Sequence, residues 1–240
     1  MASILSIDTS GTCCSVALGI NSQQLIQRTD TPREHVRLVL PMVDALLAEA
    51  GIKLSTLDAI AFTHGPGSFT GLRIGFGVVQ GLAFGADLPV IALSSLQVMA
   101  QRAMRIHSLA CDSIIIPAID ARMGELYWGL YKQSNGFASP MLPDALCPQQ
   151  EMSLPVLDRL KDDVTLIGIG DGWQYQPEVC HEERAFKLSA VHQGIGPDAE
   201  DILPLAEETF KQGKVRSIDE VEPVYLRNTI SWKKRQRLRS

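Results

Sequence analysis

Between Thr63 and Gly85 the chain reads Thr63-His64-Gly65-Pro66-Gly67-Ser68-Phe69-Thr70-Gly71-Leu72-Arg73-Ile74-Gly75-Phe76-Gly77-Val78-Val79-Gln80-Gly81-Leu82-Ala83-Phe84-Gly85. No other stretch limits the possible folds so tightly. It opens with a loop that cannot be helical, because Pro66 lies between two glycines that tolerate positive φ. Ser68 stands where a helix N-cap is expected, its hydroxyl free to accept from the orphan amides of the next turn. An apolar run follows, with glycines at 71, 75, 77, 81 and 85, each expected to cost a helix interior about 0.8–1 kcal/mol relative to alanine. At about 100° per residue the five share one arc, in the order 77, 81, 85, 71, 75. Ile74, Val78 and Leu82 lie within it, while Leu72, Phe76, Val79 and Ala83 occupy another. A helix apolar on two sides is buried on two sides. The glycine side lets a second backbone approach closely. The protein's own sheet and an external partner both fit, and a subunit contact is expected besides internal packing.

The 240 residues allow one large domain or two lobes, and 45% hydrophobic with 20% charged residues is ordinary globular composition. The net charge of −5 is uneven: the last eight residues carry +5, leaving −10 for the rest. The body is therefore a poor polyanion binder, and Lys233, Lys234, Arg235, Arg237 and Arg239 form the one place that attracts phosphate. A solvated tail is the plainer account of that run, and the same holds for Trp232, which beside two lysines has the composition to stack on a base. Cys13, Cys14, Cys111, Cys147 and Cys180 form no Cys-x-x-Cys pair, which argues against a disulfide framework or zinc site and for a reducing cytoplasm. No signal peptide and no apolar run of membrane-spanning length is read from the sequence.

Ile4–Ser10, 13–19 and 23–31 read as three meandering strands. Pro32 opens a helix that stops at Gly51 and contains Pro41. Leu57–Thr63 is a fourth strand, the glycine-rich stretch a second helix, 89–93 a fifth strand, and Ser94–His107 a third helix. From about Cys111 the order begins again: strands at 113–120, 124–132 and 136–141, a Pro-rich connection over 140–155, part of a helix at 157–161, strands at 164–168 and 186–189, and a helix from Pro197 that ends at Gly213. The predicted fold is α/β, two tandem lobes, each a mixed sheet flanked by helices, the second with shorter helices. The expected divisions are 1–107, 108–222 with its last helix free to pack back on the first lobe, and an extended segment with basic tail at 223–240.

Asp8, Thr9, Ser10, Gly11 and Thr12 end a first strand in a polar turn. Backbone amides of such a turn can bond phosphate oxygens, and the aspartate can hold a metal-bound water; an ordinary hairpin turn is the alternative. A duplicated lobe with this turn resembles the actin, hexokinase and heat-shock-chaperone superfamily, of RNase H-like lobes. Taken with the Gly-Pro-Gly-Ser-Phe-Thr-Gly-x-Arg loop, Asp120-Ala121-Arg122-x-Gly124-Glu125 and Pro223-Val224-Tyr225-Leu226-Arg227, the chain closely resembles the bacterial TsaB (YeaZ) family over almost its whole length. The resemblance implies an accessory role in making threonylcarbamoyladenosine in tRNA, pairing through the first-lobe helices, and a complex with the catalytic paralogue TsaD and the ATPase TsaE. The tRNA is reached indirectly through the complex, with no membrane involved. The expected pairing surface is Gly71, Ile74, Gly75, Val78, Gly81, Leu82 and Gly85 with Val36, Leu40 and Val43. Gly65, Pro66, Gly67, Ser68, Thr70 and Arg73 form a structural loop, Arg73 bonding to carbonyls or to Asp8.

The enzyme readings are weaker. TsaD-type subunits bind a metal through His-x-x-x-His after the fifth strand, two ligands on one helix face. The matching positions here are Ser95 and Met99, and the histidines at 35, 64, 107, 181 and 192 contain no i, i+4 pair. In the second lobe Asp120 is followed by Ala121, Arg122 and Met123 where a phosphate turn needs glycine, although Gly168-Ile169-Gly170-Asp171-Gly172 has the look of an adenosine-side remnant. Weak nucleotide binding or none is expected, and no resident cofactor or metal. There is no P-loop, and His64 near Ser68 is no nucleophile–base pair because Gly-Pro-Gly between them fixes no geometry. An ATP-dependent small-molecule kinase of the same superfamily is the alternative.

Overall fold

The computed structural model describes residues 2–31, 34–109, 113–153, 165–181, 184–185 and 187–227. The first strand, β1 (Ile4–Asp8), is buried along its whole length. Its alternate residues face two different layers, as a central strand requires. β2 (Cys14–Ile20) and β3 (Gln23–Thr29) follow in antiparallel, while β4 (Ala59–Gly65) and β5 (Val90–Ser94) join in parallel, giving the order β3-β2-β1-β4-β5. Leu5 and Ile7 point toward α1 (His35–Ala50) and α2 (Phe69–Ala86), in a core shared with Val16, Ile60, Phe62 and Val79. Ile4, Ala17 and Ala61 point the other way, against α4 (Ala199–Lys211).

The second sheet repeats this plan. β6 (Ile114–Arg122), β7 (Glu125–Ser134) and β8 (Phe137–Pro148) meander, and β10 (Leu166–Ile169) and β13 (Ala190–His192) add in parallel, giving β13-β10-β6-β7-β8. The two-lobed α/β class predicted from sequence is the fold observed. A small third sheet holds β9 (Glu151–Ser153), β11 (Glu178–His181) and β12 (Arg184–Ala185). Two strand predictions need correction. The third strand of the second lobe runs on through Pro140, Pro143 and Pro148, which the sequence reading had as a connection. β8 is the edge of its sheet, where a residue without an amide proton breaks no ladder. The fifth strand is β13 rather than 186–189; Ala190 pairs with Ile167. The helix expected at 157–161, the residues 32–33 before α1 and the basic tail at 228–240 lie outside the described residues. Where the first lobe has α2 between its fourth and fifth strands, the described residues of the second hold a 3-10 turn at Asp171–Tyr175 and the short strands β11 and β12.

The packing does not divide at residue 107. The helix α3 (Ser95–His107) follows β5, yet its buried residues Leu96, Met99, Ala100 and Ala103 pack with Ile115, Tyr131, Ile167 and Ile169 of the second sheet. α4 follows β13 and packs on the first sheet. Buried polar groups fix that docking: Ser6 Oγ donates to Ala199 O at 2.7 Å, and Ser15 Oγ accepts from Ala199 N at 2.9 Å. Arg105 of α3 forms a bidentate pair with Asp201 of α4 at 2.7 and 2.9 Å. Each lobe thus lends a helix to the other.

Candidate functional site

Asp8 ends β1 with its carboxylate fully buried. Its Oδ1 accepts from Ser10 N (3.2 Å), Ser10 Oγ (2.6 Å) and Thr63 Oγ1 (2.5 Å), and Oδ2 has no partner among the described residues. Burial pushes its pKa up, against the opposing pull of those hydrogen bonds. One amide of the turn, that of Ser10, is therefore already committed to Asp8. The space above the turn is filled as well. Ser68 N donates to Ser10 O at 2.8 Å, and Thr9 Oγ1 donates to Gly71 O at 2.8 Å. A Cβ on Gly67 would stand 2.6 Å from Ser10 O, and one on Gly71 or Gly75 would collide with Thr9. The first turns of α2 lie directly on Thr9 and Ser10, so the polar turn is an internal docking point for this helix. Gly11 is half-buried against Pro197, and Thr12 O accepts from His35 Nε2 at 3.3 Å.

The second lobe is closed in its own way. Asp120 Oδ1 accepts from Arg122 N at 2.8 Å, and Oδ2 accepts from the Arg122 guanidinium (2.8 Å) and Tyr175 OH (3.1 Å). In the Gly168–Gly172 stretch a Cβ on Gly168 would meet the Trp173 ring at 2.6 Å, and one on Gly172 would meet Ala118 at 2.9 Å. These glycines let the loop press against its own strand. Ser95 and Met99 are buried, and the Met99 methyl lies against Gly170. Among the described residues no group of three or more His, Cys, Asp or Glu side chains is placed to hold a metal. His64 does not bond to Ser68; burial, with a smaller push from Arg216, lowers its pKa to about 4. Ser68 caps α2, its Oγ accepting from Gly71 N at 3.3 Å.

The other side of α2 is open. Val36 and Leu40 of α1 and Ile74, Gly77, Val78, Gly81 and Leu82 of α2 line a groove of about 460 Å³. A Cβ on Gly77, Gly81 or Gly85 would meet nothing within 4 Å. Val36 is 64% exposed, and Phe84 nearby is 78% exposed. The predicted pairing surface therefore splits. Gly71 and Gly75 face Thr9, and Val43 is 1% exposed because it lies on the sheet-facing side of α1 with Val39 and Leu46. Arg73 also needs correction, since it reaches neither a loop carbonyl nor Asp8. Its guanidinium lies 3.8 Å from the Phe69 ring centroid, and its Nε donates to Tyr225 OH at 3.2 Å. Gly65, at φ +122°, has Val224 O where a Cβ would be, at 2.7 Å. Thr70 is exposed in the first turn of α2. Among the described residues α2 alone is long and apolar enough, by length and composition, to cross a bilayer, a test that the core helices of soluble proteins also pass. Its buried side packs on β4, and its open side is the groove.

A family model described as TsaD, tRNA N6-adenosine threonylcarbamoyltransferase, matches residues 22–191. The chain is 40% identical to the tRNA threonylcarbamoyladenosine biosynthesis protein TsaB of Escherichia coli (strain K12), over 96% of this chain and 97% of that one. It is 36% identical to the protein of the same name from Haemophilus influenzae, over 96% of both. The solved structure of YeaZ from Pseudomonas aeruginosa superposes with a TM-score of 0.84 at 40% identity, covering 94% of this chain and all of that one. Fold and site together define a two-lobed actin-like protein with a closed turn at the end of the first strand of each lobe and an open helical face. The chain belongs to the TsaB (YeaZ) family.

Proposed function

We infer that this chain is a non-catalytic subunit of the machinery that transfers a threonylcarbamoyl group to adenosine next to the tRNA anticodon. It works in the cytoplasm and meets tRNA through the assembled complex. The observation that carries the reading is the contrast between the two sides of α2. One side seals the turn where a superfamily enzyme places phosphate; the other presents an apolar, glycine-floored groove to solvent. Such a groove accepts a helix at short interaxial distance, because nothing projects from its floor. A second copy of this chain brings the same helical face, a TsaD-type paralogue is the other partner for the groove, and a TsaE-type ATPase joins the paired form. The subunit acts by differential contact: it binds one arrangement of the paralogue's inter-lobe cleft better than the others and so shifts its population.

The test is size-exclusion chromatography with light scattering, on the chain alone and mixed with a TsaD-type subunit from the same organism. A homodimer replaced by a one-to-one heterodimer, with threonylcarbamoyladenosine formed only when both subunits and the ATPase are present, is the expected result. A monomer indifferent to the paralogue, or modification that proceeds without this chain, overturns the reading.

A further inference from the structure

The open face of α2 and the mouth of the second lobe are joined by one strap. Residues 221–227 run on from a 3-10 turn at Ile218–Glu220 without regular secondary structure. At its near end the strap lies along α2. Val224 N donates to His64 O at 2.7 Å, and the Tyr225 ring sits 5.6 Å from that of Phe69. Glu222, Pro223 and Tyr225 wall a second cleft, of about 490 Å³, whose opposite side is Arg73, Phe76 and Gly77. Gly77 borders both this cleft and the α1–α2 groove, so a body that covers α2 meets the strap as well.

At its far end Arg227 holds the β6–β7 turn. Its guanidinium pairs with the Glu125 carboxylate and donates to the carbonyls of Ala121 and Arg122, each at 3.1 Å. That turn takes three consecutive left-handed residues, Arg122, Met123 and Gly124, at φ 64°, 58° and 82°. Two of them carry a Cβ that disfavours this backbone. A conformation held against its preference by a few contacts has a relaxed alternative once they are released. The same turn sets Arg122, which engages Asp120 beside Tyr175.

We propose that Arg227 is a positioning residue, and that the strap 221–227 makes its hold on the Arg122-Met123-Gly124 turn depend on what occupies α2. The inference rests on the pairing reading above and deepens it. A partner on α2 immobilises Pro223 and Tyr225, the strap loses its freedom, and Arg227 stays on the turn, ordering the second lobe's mouth without touching it. An arginine is required, because its planar fork serves a carboxylate and two carbonyls together, whereas a lysine is a point charge.

Hydrogen exchange read by mass spectrometry over amides 121–125 tests this, with light scattering as the independent measure of pairing. In the wild-type heterodimer those amides are expected to exchange at least about threefold more slowly than in the free chain. Arg227→Lys is expected to speed their exchange and abolish the slowing while the heterodimer still forms. Tyr225→Ala cuts the strap at the other end with Arg227 intact. It is expected to speed exchange at 121–125 in the free chain and to remove the response to pairing. A merely structural Arg227 would leave the Tyr225→Ala protein responding like wild type, and that result overturns the proposal. So does a wild-type heterodimer with unchanged exchange at the turn. Should no heterodimer form, the pairing reading falls, and the free-chain effect of Tyr225→Ala decides the strap: faster exchange at 121–125 supports it, unchanged exchange overturns it.

Discussion

Asp8 shows how a residue typical of catalysis can be turned to structural use. Its Oδ1 organises Ser10 and Thr63, while Oδ2 is buried without a partner among the described residues. Burial raises its pKa in the folded state above the ordinary 3.8. The folded form thus holds the proton more tightly than the unfolded form. The corresponding stability is fully present below the unfolded pKa and is lost as pH rises through the folded one. Asp8→Asn keeps the acceptor and removes the charge but puts an amide NH2 where Oδ2 stands, so the readout is the change with pH. Relative to wild type the variant is expected to gain on the order of 1 kcal/mol between pH 4 and pH 7–8. Thermal unfolding across that range measures it. Two glycines on the same helix should respond oppositely. Gly71→Ala drives a methyl into Thr9 O, a backbone atom that cannot move aside, and is expected to cost at least about 3 kcal/mol. Gly77→Ala meets open space and should stabilise the isolated chain by about 0.8–1 kcal/mol through helix propensity.

At the scale of elements, α2 is the piece whose sequence and packing explain each other. Its glycines near the N-terminus are there for Thr9, and those from Gly77 onward leave the groove floor bare. Gly81→Phe is therefore expected to leave the monomer folded, with an unchanged circular dichroism spectrum, and to abolish pairing in light scattering. A Gly81→Phe protein that still pairs would show that the groove is not the contact surface. The α3–α4 contact makes a separate prediction. Asp201 is 1% exposed and depends on Arg105, whose side chain is 42% exposed. Arg105→Ala leaves that carboxylate buried and uncompensated. The expected cost is about 2 kcal/mol, below the range for a fully buried pair because water screens the arginine. Denaturant titration measures it.

For the whole molecule, the reciprocal placement of α3 and α4 makes the two lobes one cooperative unit. Each sheet has one face that is covered by a helix from the other half of the chain. The full chain is expected to melt in a single calorimetric transition with matching van't Hoff and calorimetric enthalpies. A fragment ending at residue 107 would lack α4, exposing Ile4, Ala17 and Ala61, and would carry α3 with its apolar side bare. It is expected to show no cooperative transition. A fragment that melts cooperatively would restore the sequence division at 107 as a physical boundary.

Local pattern was enough to find most elements, the repeat of the lobe, the N-cap at Ser68 and the non-helical loop around Pro66, since each depends on residues within a turn or a strand of one another. The short motifs identified the family for the same reason. What the sequence left open was direction. Periodicity fixes the angle of Gly71 and Gly81 about the axis of α2, but where the helix lies on Thr9 is set by the sheet, and only that placement turns one glycine inward and leaves the other bare. Val43 was misassigned on the same account. The prolines of β8 concealed a strand because their tolerance depends on the strand's being an edge. Arg73 with Tyr225, Arg227 with Glu125 and Arg105 with Asp201 join residues about a hundred or more positions apart. Such contacts have no local signature, because they exist only after the chain has closed on itself, and it was they that decided how the two lobes share helices and which face remains open to a partner.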